Sequence, residues 1–225
     1  MKKKEYLQCQ KKLYNIKVTQ DFANFENKKI DLQIINSLQN KGKGGAVRFG
    51  MLIAKGEYQL FLDADGATDI NEFQKVFKNL KEIEIQHNGL KYGIAAGSRN
   101  HLVKDVVKQR KWYRNILMHI SNFIVNVICG VKLKDTQCGF KMFTKQSAKI
   151  IFNTMHLNRW AFDVEIFMIA NNYKIPFKEV PVNWEDKEGS KLNVIEASIT
   201  MGRDFLLLRV LYLLRLWKFT DKLIN

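Results

Sequence analysis

Residues 60–66 read Leu-Phe-Leu-Asp-Ala-Asp-Gly, an apolar run that ends in two aspartates one residue apart. The run, taken back to residue 57, predicts a buried strand, and the Asp-Gly pair predicts the turn that closes it. Side chains alternate faces along a strand, so Asp63 and Asp65 are expected on the same side. Two carboxylates at the carboxyl end of a strand suit a hard divalent cation, and such an ion commonly bridges carboxylates to phosphates. In open α/β sheets, ligands bind just outside those strand ends.

The flanking sequence repeats the strand-then-helix pattern. Strands are predicted over 30–38, 92–96, 139–143 and 177–184. Helices are predicted over 2–14, 46–54, 69–83, 109–129, 146–152, 162–171 and 194–219. This alternation predicts an α/β fold with a largely parallel sheet in a single domain, 1–225. A chain of 225 residues is long enough for one sizeable core, and its 46% hydrophobic content argues against disorder. Three cysteines, Cys9, Cys129 and Cys138, form neither a disulfide framework nor a zinc pattern.

The net charge of +15 implies an anionic partner: nucleic acid, an acidic membrane surface or a phosphorylated substrate. No helix-turn-helix, zinc or RNP string supports nucleic acid. Several cations stand where they could serve phosphates. Lys43 lies in the basic glycine run Lys41-Gly42-Lys43-Gly44-Gly45, read as a turn before a helix, where exposed amides could help. Arg99 follows a short strand. Arg110 and Arg114 are four apart and share one face of the helix over 109–129. Lys191 sits in the loop Gly189-Ser190-Lys191-Leu192.

Two helices bear on membranes. The helix over 109–129 has an aromatic, aliphatic face opposite a basic and polar one. A core helix explains that pattern, and so does a helix lying in a membrane interface. The stretch 205–217 (FLLLRVLYLLRLW) is apolar almost all round, with Arg209 and Arg215 on different faces. An interface lets those arginines reach headgroups, whereas a core would bury them without partners. No run of about 18 apolar residues offers a membrane span.

Further strings are distinctive: Ala96-Gly97-Ser98-Arg99, Asp135-Thr136-Gln137-Cys138-Gly139-Phe140-Lys141, Arg159-Trp160-Ala161-Phe162-Asp163-Val164-Glu165 and Val182-Asn183-Trp184. With the glycine run, the Asp63-Ala64-Asp65 pair and the Lys191 loop, they resemble, in order, the dolichyl-phosphate β-glucosyltransferases, members of glycosyltransferase family 2 with the GT-A fold. The resemblance implies transfer of glucose from UDP-glucose to dolichyl phosphate with inversion, on the cytosolic face of the endoplasmic reticulum membrane. It implies Mg²⁺ or Mn²⁺ held by Asp63 and Asp65, in the D-x-D arrangement of nucleotide-sugar glycosyltransferases. It implies donor and acceptor phosphates met by Lys43, Lys191, Arg99, Arg110 and Arg114, with Asp65, Asp135 and Asp163 as catalytic or orienting carboxylates. The family's first nucleotide-binding strand, its Asp-Asp-Gly-Ser string and its N-terminal anchor have no counterpart in this sequence, so truncation relative to the family is expected. A dolichyl-phosphate mannose synthase-like enzyme and a non-catalytic membrane-peripheral relative are the alternatives.

Overall fold

A computed structural model describes residues 35, 37, 39–101, 125, 126, 130, 133–185 and 194–219. Two units are distinguished, 1–40 and 41–225. In the first, the described residues include Ser37, whose hydroxyl donates to the Gln39 carbonyl at 2.8 Å. The second carries the elements α1 (Gly42–Ile53), β1 (Tyr58–Leu62), a 3₁₀ turn (Ile70–Glu72), α2 (Phe73–Ile83), β2 (Ile85–His87), β3 (Leu90–Tyr92), β4 (Ile94–Ser98), β5 (Phe140–Thr144), α3 (Lys145–Thr154), α4 (Phe162–Asn172), β6 (Phe177–Pro181) and α5 (Val194–Leu213). The segments expected as elements over 2–14, 30–38 and 109–129 lie outside the described residues, save for isolated positions.

The main sheet runs β1-β5-β4-β6. Among the described strands only β4 and β6 are parallel; β5 is antiparallel to both β1 and β4. The sheet is therefore mixed, where the alternation predicted a largely parallel one. The cause is the re-entry point of β5. The chain leaves β4 at Ser98 and returns at the same edge of the sheet, where the Asp63 amide donates to the Gly139 carbonyl at 2.8 Å. A strand that enters where its neighbours leave must run against them.

Alternation along the strands divides the core in two. Val76 and Leu80, one turn apart on α2, pack with Ala95, Phe140, Met142 and Val180 on one face of the sheet. Phe61, Ile94, Ala96 and Phe143 face the other way, against α3, α4 and α5. Helix α4 is buried from Phe162 through Ala170, as an apolar helix with no solvent face should be. Helix starts follow their caps. The Asp69 carboxylate accepts from the Asn71 amide at 2.9 Å ahead of α2, and the Thr144 hydroxyl accepts from the Ser147 amide at 3.4 Å in α3.

The glycine run expected as a flexible turn is instead the first turn of α1. A Cβ on Gly44 would lie 2.9 Å from Phe162 Cβ, and one on Gly42 would lie 2.6 Å from the Asn158 carbonyl. The glycines let the helix end press onto the chain entering α4, and the Gly45 amide donates to Asn158 at 3.0 Å.

The last helix is shorter than the 194–219 expected. It ends at Leu213, and the chain turns through Arg215, whose φ is +57°. Trp217 then stacks on His156 with ring centroids 4.5 Å apart, and Phe219 stacks on Tyr212 at 4.5 Å. Beneath them lies Glu165, whose side chain is 0% exposed. It accepts from the His156 and Leu157 amides at 2.8 and 2.7 Å and from the Tyr212 hydroxyl at 2.9 Å. Burial pushes the Tyr212 hydroxyl pKa up, and the Glu165 charge adds to it, so the phenol keeps its proton and donates. Tyr212→Phe leaves a buried carboxylate one donor short and is expected to lower stability by about 1–3 kcal/mol, read by denaturant unfolding.

The solvent side of this region is apolar. Leu206, Leu207, Val210, Leu213, Leu214 and Leu216 are exposed, with Arg203, Arg209, Arg215 and Lys218 among them. Among the described residues no helix is long and apolar enough to cross a membrane.

Candidate active site

The carboxyl ends of β1 and β4, the start of β5 and the first turns of α1 and α4 meet at one edge of the sheet. Asp63 stands just past β1. The strand's alternation stops at Leu62, because Ala64 and Asp65 already belong to a turn closed by Gly66 at φ +71°. The two aspartates are thus presented by a turn rather than by one face of a strand. Asp65 braces that turn, its Oδ1 accepting from the Ala67 amide at 2.9 Å. The turn is tied across to the segment after β6 by the Glu185 amide, which donates to the Ala67 carbonyl at 2.9 Å.

Lys43 reaches Asp63 from the first turn of α1. Its Nζ lies 2.7 Å from Oδ1 and 2.8 Å from Oδ2, and 5.7 Å from the centre of the Trp160 ring. Trp160 is 44% exposed, unusual for so large a ring. Behind Asp63 is Gly139, where a Cβ would fall 2.0 Å from Oδ2. No residue but glycine leaves room for the carboxylate. An open cleft of about 660 Å³ runs between α1 and β1 and ends at Lys43, Asp63 and Ala64.

Asp163 is close behind. Its Oδ1 accepts from Lys141 Nζ at 2.5 Å, and Lys141 also donates to the Cys138 carbonyl at 2.7 Å. Lys141 is fully buried, its ammonium 5.0 Å from the Phe61 ring centre and 5.9 Å from that of Phe167. Burial pushes the Asp163 pKa above the usual carboxylate range, although Lys141 and Lys43 pull it back and Asp63 pushes it further up.

Arg99 and Asp135 form the third group. Arg99 Nε donates to Oδ2 at 2.8 Å, Nη2 to Oδ1 at 2.9 Å, and the Arg99 amide to Oδ2 at 2.9 Å. The guanidinium also lies 5.2 Å from the Trp184 ring centre. Burial opposes both charges, yet the pairing more than offsets it: the Arg99 pKa is raised and the Asp135 pKa lowered. Glu179 holds the segment from below, accepting from the Lys134 and Asp135 amides at 3.0 and 2.7 Å and from the Ser98 hydroxyl at 3.1 Å. Since the folded state holds Asp135 below its unfolded value of about 3.9, its contribution is present at neutral pH and lost as pH falls through the lowered value. Asp135→Asn is expected to cost stability at pH 7 and to match wild type more closely in strong acid; urea unfolding at the two pH values checks this.

The structure therefore brings together Lys43, Asp63 and Asp163, leaves Asp65 two residues on with its carboxylate engaged in its own turn, and sets Arg99 and Asp135 as a mutual pair at the same edge. Arg110, Arg114 and Lys191 lie outside the described residues. Sequence reasoning gave no part to Lys141, Gly139, Glu179 or Trp160. Lys141 had a signal: it occupies an inward position of an otherwise apolar strand, between Phe140 and Met142, where a lysine needs a buried partner.

A sheet flanked by helices, with an aspartate turn at the carboxyl end of a strand, is the general plan on which α/β enzymes build ligand sites. The family is specific. Residues 17–152 match the model of glycosyl transferase family 2, and the chain belongs to that family. It is 47% identical over 189 residues to dolichyl-phosphate beta-glucosyltransferase of Dictyostelium discoideum, covering 84% of this chain and 57% of the relative. It is 42% identical over 187 residues to the Homo sapiens protein of that name, covering 83% of this chain and 57% of the relative. For the Saccharomyces cerevisiae protein the identity is 39% over 194 residues, 84% of this chain and 58% of the relative. The chain thus spans little more than half the length of these relatives.

Proposed function

We propose that this chain acts in a dolichyl-phosphate β-glucosyltransferase, which passes glucose from UDP-glucose to dolichyl phosphate with inversion. What carries the reading is the 39–47% identity to the three relatives named for that activity, running over more than four-fifths of the chain.

The donor set fits a divalent cation of the Mg²⁺ or Mn²⁺ kind. Asp63 and Asp65 offer hard oxygens, Gly139 leaves a cradle that a Cβ would fill, and the Lys43 ammonium already stands on the Asp63 oxygens as a stand-in cation. Among the described residues no group of three or more His, Cys, Asp or Glu side chains could hold a metal ion, so an ion on Asp63 and Asp65 would have to take its remaining ligands from water and substrate phosphates. Asp63 and Asp65 would hold it, and once bound it supplies Lewis-acid neutralisation of charge on the departing UDP.

The chain's own residues do the rest. The donor diphosphate would lie at the end of the cleft marked by Lys43 and Asp63. Arg99, with Nε and Nη2 donating to Asp135, would meet the acceptor phosphate; Arg110 and Arg114 would add to this grip, and Lys191 to that on the diphosphate. Asp163 and Lys141, being buried, position Asp63 and Lys43 from behind. A phosphate monoester near neutral pH is largely dianionic, its second pKa being about 6, so its oxygen attacks the anomeric carbon without a base to activate it. The exposed leucines of α5 and the turn after it, with their arginines, would rest on the cytosolic face of the endoplasmic reticulum membrane and bring the acceptor phosphate to headgroup depth.

The test is transfer of label from UDP-glucose to dolichyl phosphate in detergent with Mn²⁺, with GDP-mannose in parallel. Lipid-phase label from UDP-glucose alone is the expected result. Label from GDP-mannose alone would move the chain to the mannosyl branch. No transfer by folded protein would overturn the catalytic reading.

A further inference from the structure

Lys43 is the feature of the site that the proposed chemistry leaves unexplained. Lys43 lines the end of the cleft, as a phosphate-binding lysine should, yet its ammonium is already taken by both oxygens of Asp63, at 2.7 and 2.8 Å. That is the place a hard cation would take. The backbone that carries Asp63 is pinned beside this contact. Its amide is fixed to the Gly139 carbonyl at 2.8 Å, and Gly139 Cα stands immediately behind its carboxylate. Nor is the pair sealed in: the two side chains are 24% and 31% exposed, so an ion can reach it. Lys43 itself is mounted on the first turn of α1, whose glycines are clamped against Asn158 and Phe162, so its backbone stays put while the flexible stem can swing beside the Trp160 ring.

An ammonium and a divalent cation repel each other strongly at contact distance, so one carboxylate does not serve both. We propose that Lys43 is a resident counter-ion of Asp63 that the divalent cation displaces, and that the freed ammonium moves to the diphosphate arriving with that cation. The inference rests on the reading of Asp63 and Asp65 as the cation's ligands. The charges balance at each stage. Before binding, Lys43 neutralises Asp63. Afterwards the cation faces Asp63 and Asp65, and Lys43 faces a phosphate oxygen. Cation and diphosphate then bind cooperatively, because the diphosphate gives the displaced ammonium a partner and the cation alone does not. The site stays weak for the metal until the donor is present.

The measurement is binding of Mn²⁺ to the full chain, followed by the paramagnetic resonance of the free ion, with Mn²⁺ alone and with Mn²⁺ plus UDP. No turnover is involved. Lys43→Met keeps the stem and removes the charge; Lys43→Gln is a second, more soluble variant. Both are expected to bind Mn²⁺ alone about tenfold more tightly than wild type, since the competing cation is gone. The enhancement of Mn²⁺ binding by UDP is expected to shrink by a similar factor. Asp63→Asn is expected to weaken Mn²⁺ binding in both conditions, and to cancel the gain when combined with Lys43→Met. If the Lys43 variants bind Mn²⁺ alone no more tightly than wild type while UDP still enhances binding, the displacement is overturned and the cation site stands. If no protein binds Mn²⁺ with or without UDP, the cation site and the displacement fail together.

Discussion

Gly139→Ala is expected to leave a folded protein whose transfer rate is reduced about a hundredfold, the scale reached when a reacting group is misplaced by about 1 Å. The new methyl would lie 2.0 Å from Asp63 Oδ2 and 2.1 Å from its Cγ. The neighbouring atom is not the free end of a long side chain, because the Asp63 amide is pinned by a bond to the same Gly139. Relief therefore comes by rotating the carboxylate away from Lys43 and from the mouth of the cleft. The loss should appear in kcat/KM with Mn²⁺ saturating, with a change in melting temperature of only a few degrees. Gly202→Ala is the control, since a Cβ there meets nothing within 4 Å, and it should leave the rate unaltered. An unimpaired Gly139→Ala enzyme would mean that the Asp63 carboxylate has no part in transfer.

That contact also marks the boundary of what the sequence could show. The aspartate pair was legible because a strand ending in Asp-x-Asp-Gly is a local pattern, and β1 does end one residue before Asp63. The helices α2 and α3 were legible for the same reason, their apolar spacing and the capping residues Asp69 and Thr144 lying within a few residues, and α4 was legible as a local apolar run. Strand direction was not. Whether β5 runs with β4 or against it depends on where the chain re-enters the sheet after some forty intervening residues, and no local pattern encodes that. The glycine run misled because glycine serves two ends: at Gly66 it supplies a positive φ for a turn, whereas at Gly44 it supplies the missing Cβ that lets α1 touch Phe162. The arginine and aspartate assigned separate parts, Arg99 and Asp135, turned out to hold each other. Thirty-six positions separate them in sequence, and each alone reads as a free charge. The C-terminal segment shows the same limit. Its leucines were visible as an apolar stretch, but the sorting into a buried row (Phe205, Leu208, Tyr212) and an exposed one (Leu206, Leu207, Val210, Leu213) needed the surface of α4 and its buried Glu165 to be in place.

Lys141→Met is expected to destabilise the protein by about 3–5 kcal/mol, because it strands a buried carboxylate. Lys141 is packed among aromatic rings, and Asp163 is its partner at 2.5 Å. Methionine fills the stem's volume, so the cost comes from charge rather than from a cavity. Removing both charges, in Lys141→Met with Asp163→Asn, is expected to recover most of the loss, as replacing a buried ion pair by neutral groups is often tolerated. The cycle of single and double variants then measures the coupling, which should be large and favourable. The direction with pH is a separate check. Burial already raises the Asp163 pKa, and loss of Lys141 removes the charge that pulls it back. An acid whose folded-state pKa exceeds its unfolded value loses stability as pH rises through the folded value. The deficit of Lys141→Met should therefore shrink as pH falls and Asp163 takes up a proton, and grow as pH rises. A deficit that is constant with pH, or a double variant as unstable as the two singles combined, would mean that Lys141 acts through packing alone. Transfer by the double variant carries the remaining information. If it folds yet is slow, with KM for UDP-glucose little changed, then the buried pair is there to hold Asp63 and Lys43 at the cleft, and the stability it contributes is secondary to that placement.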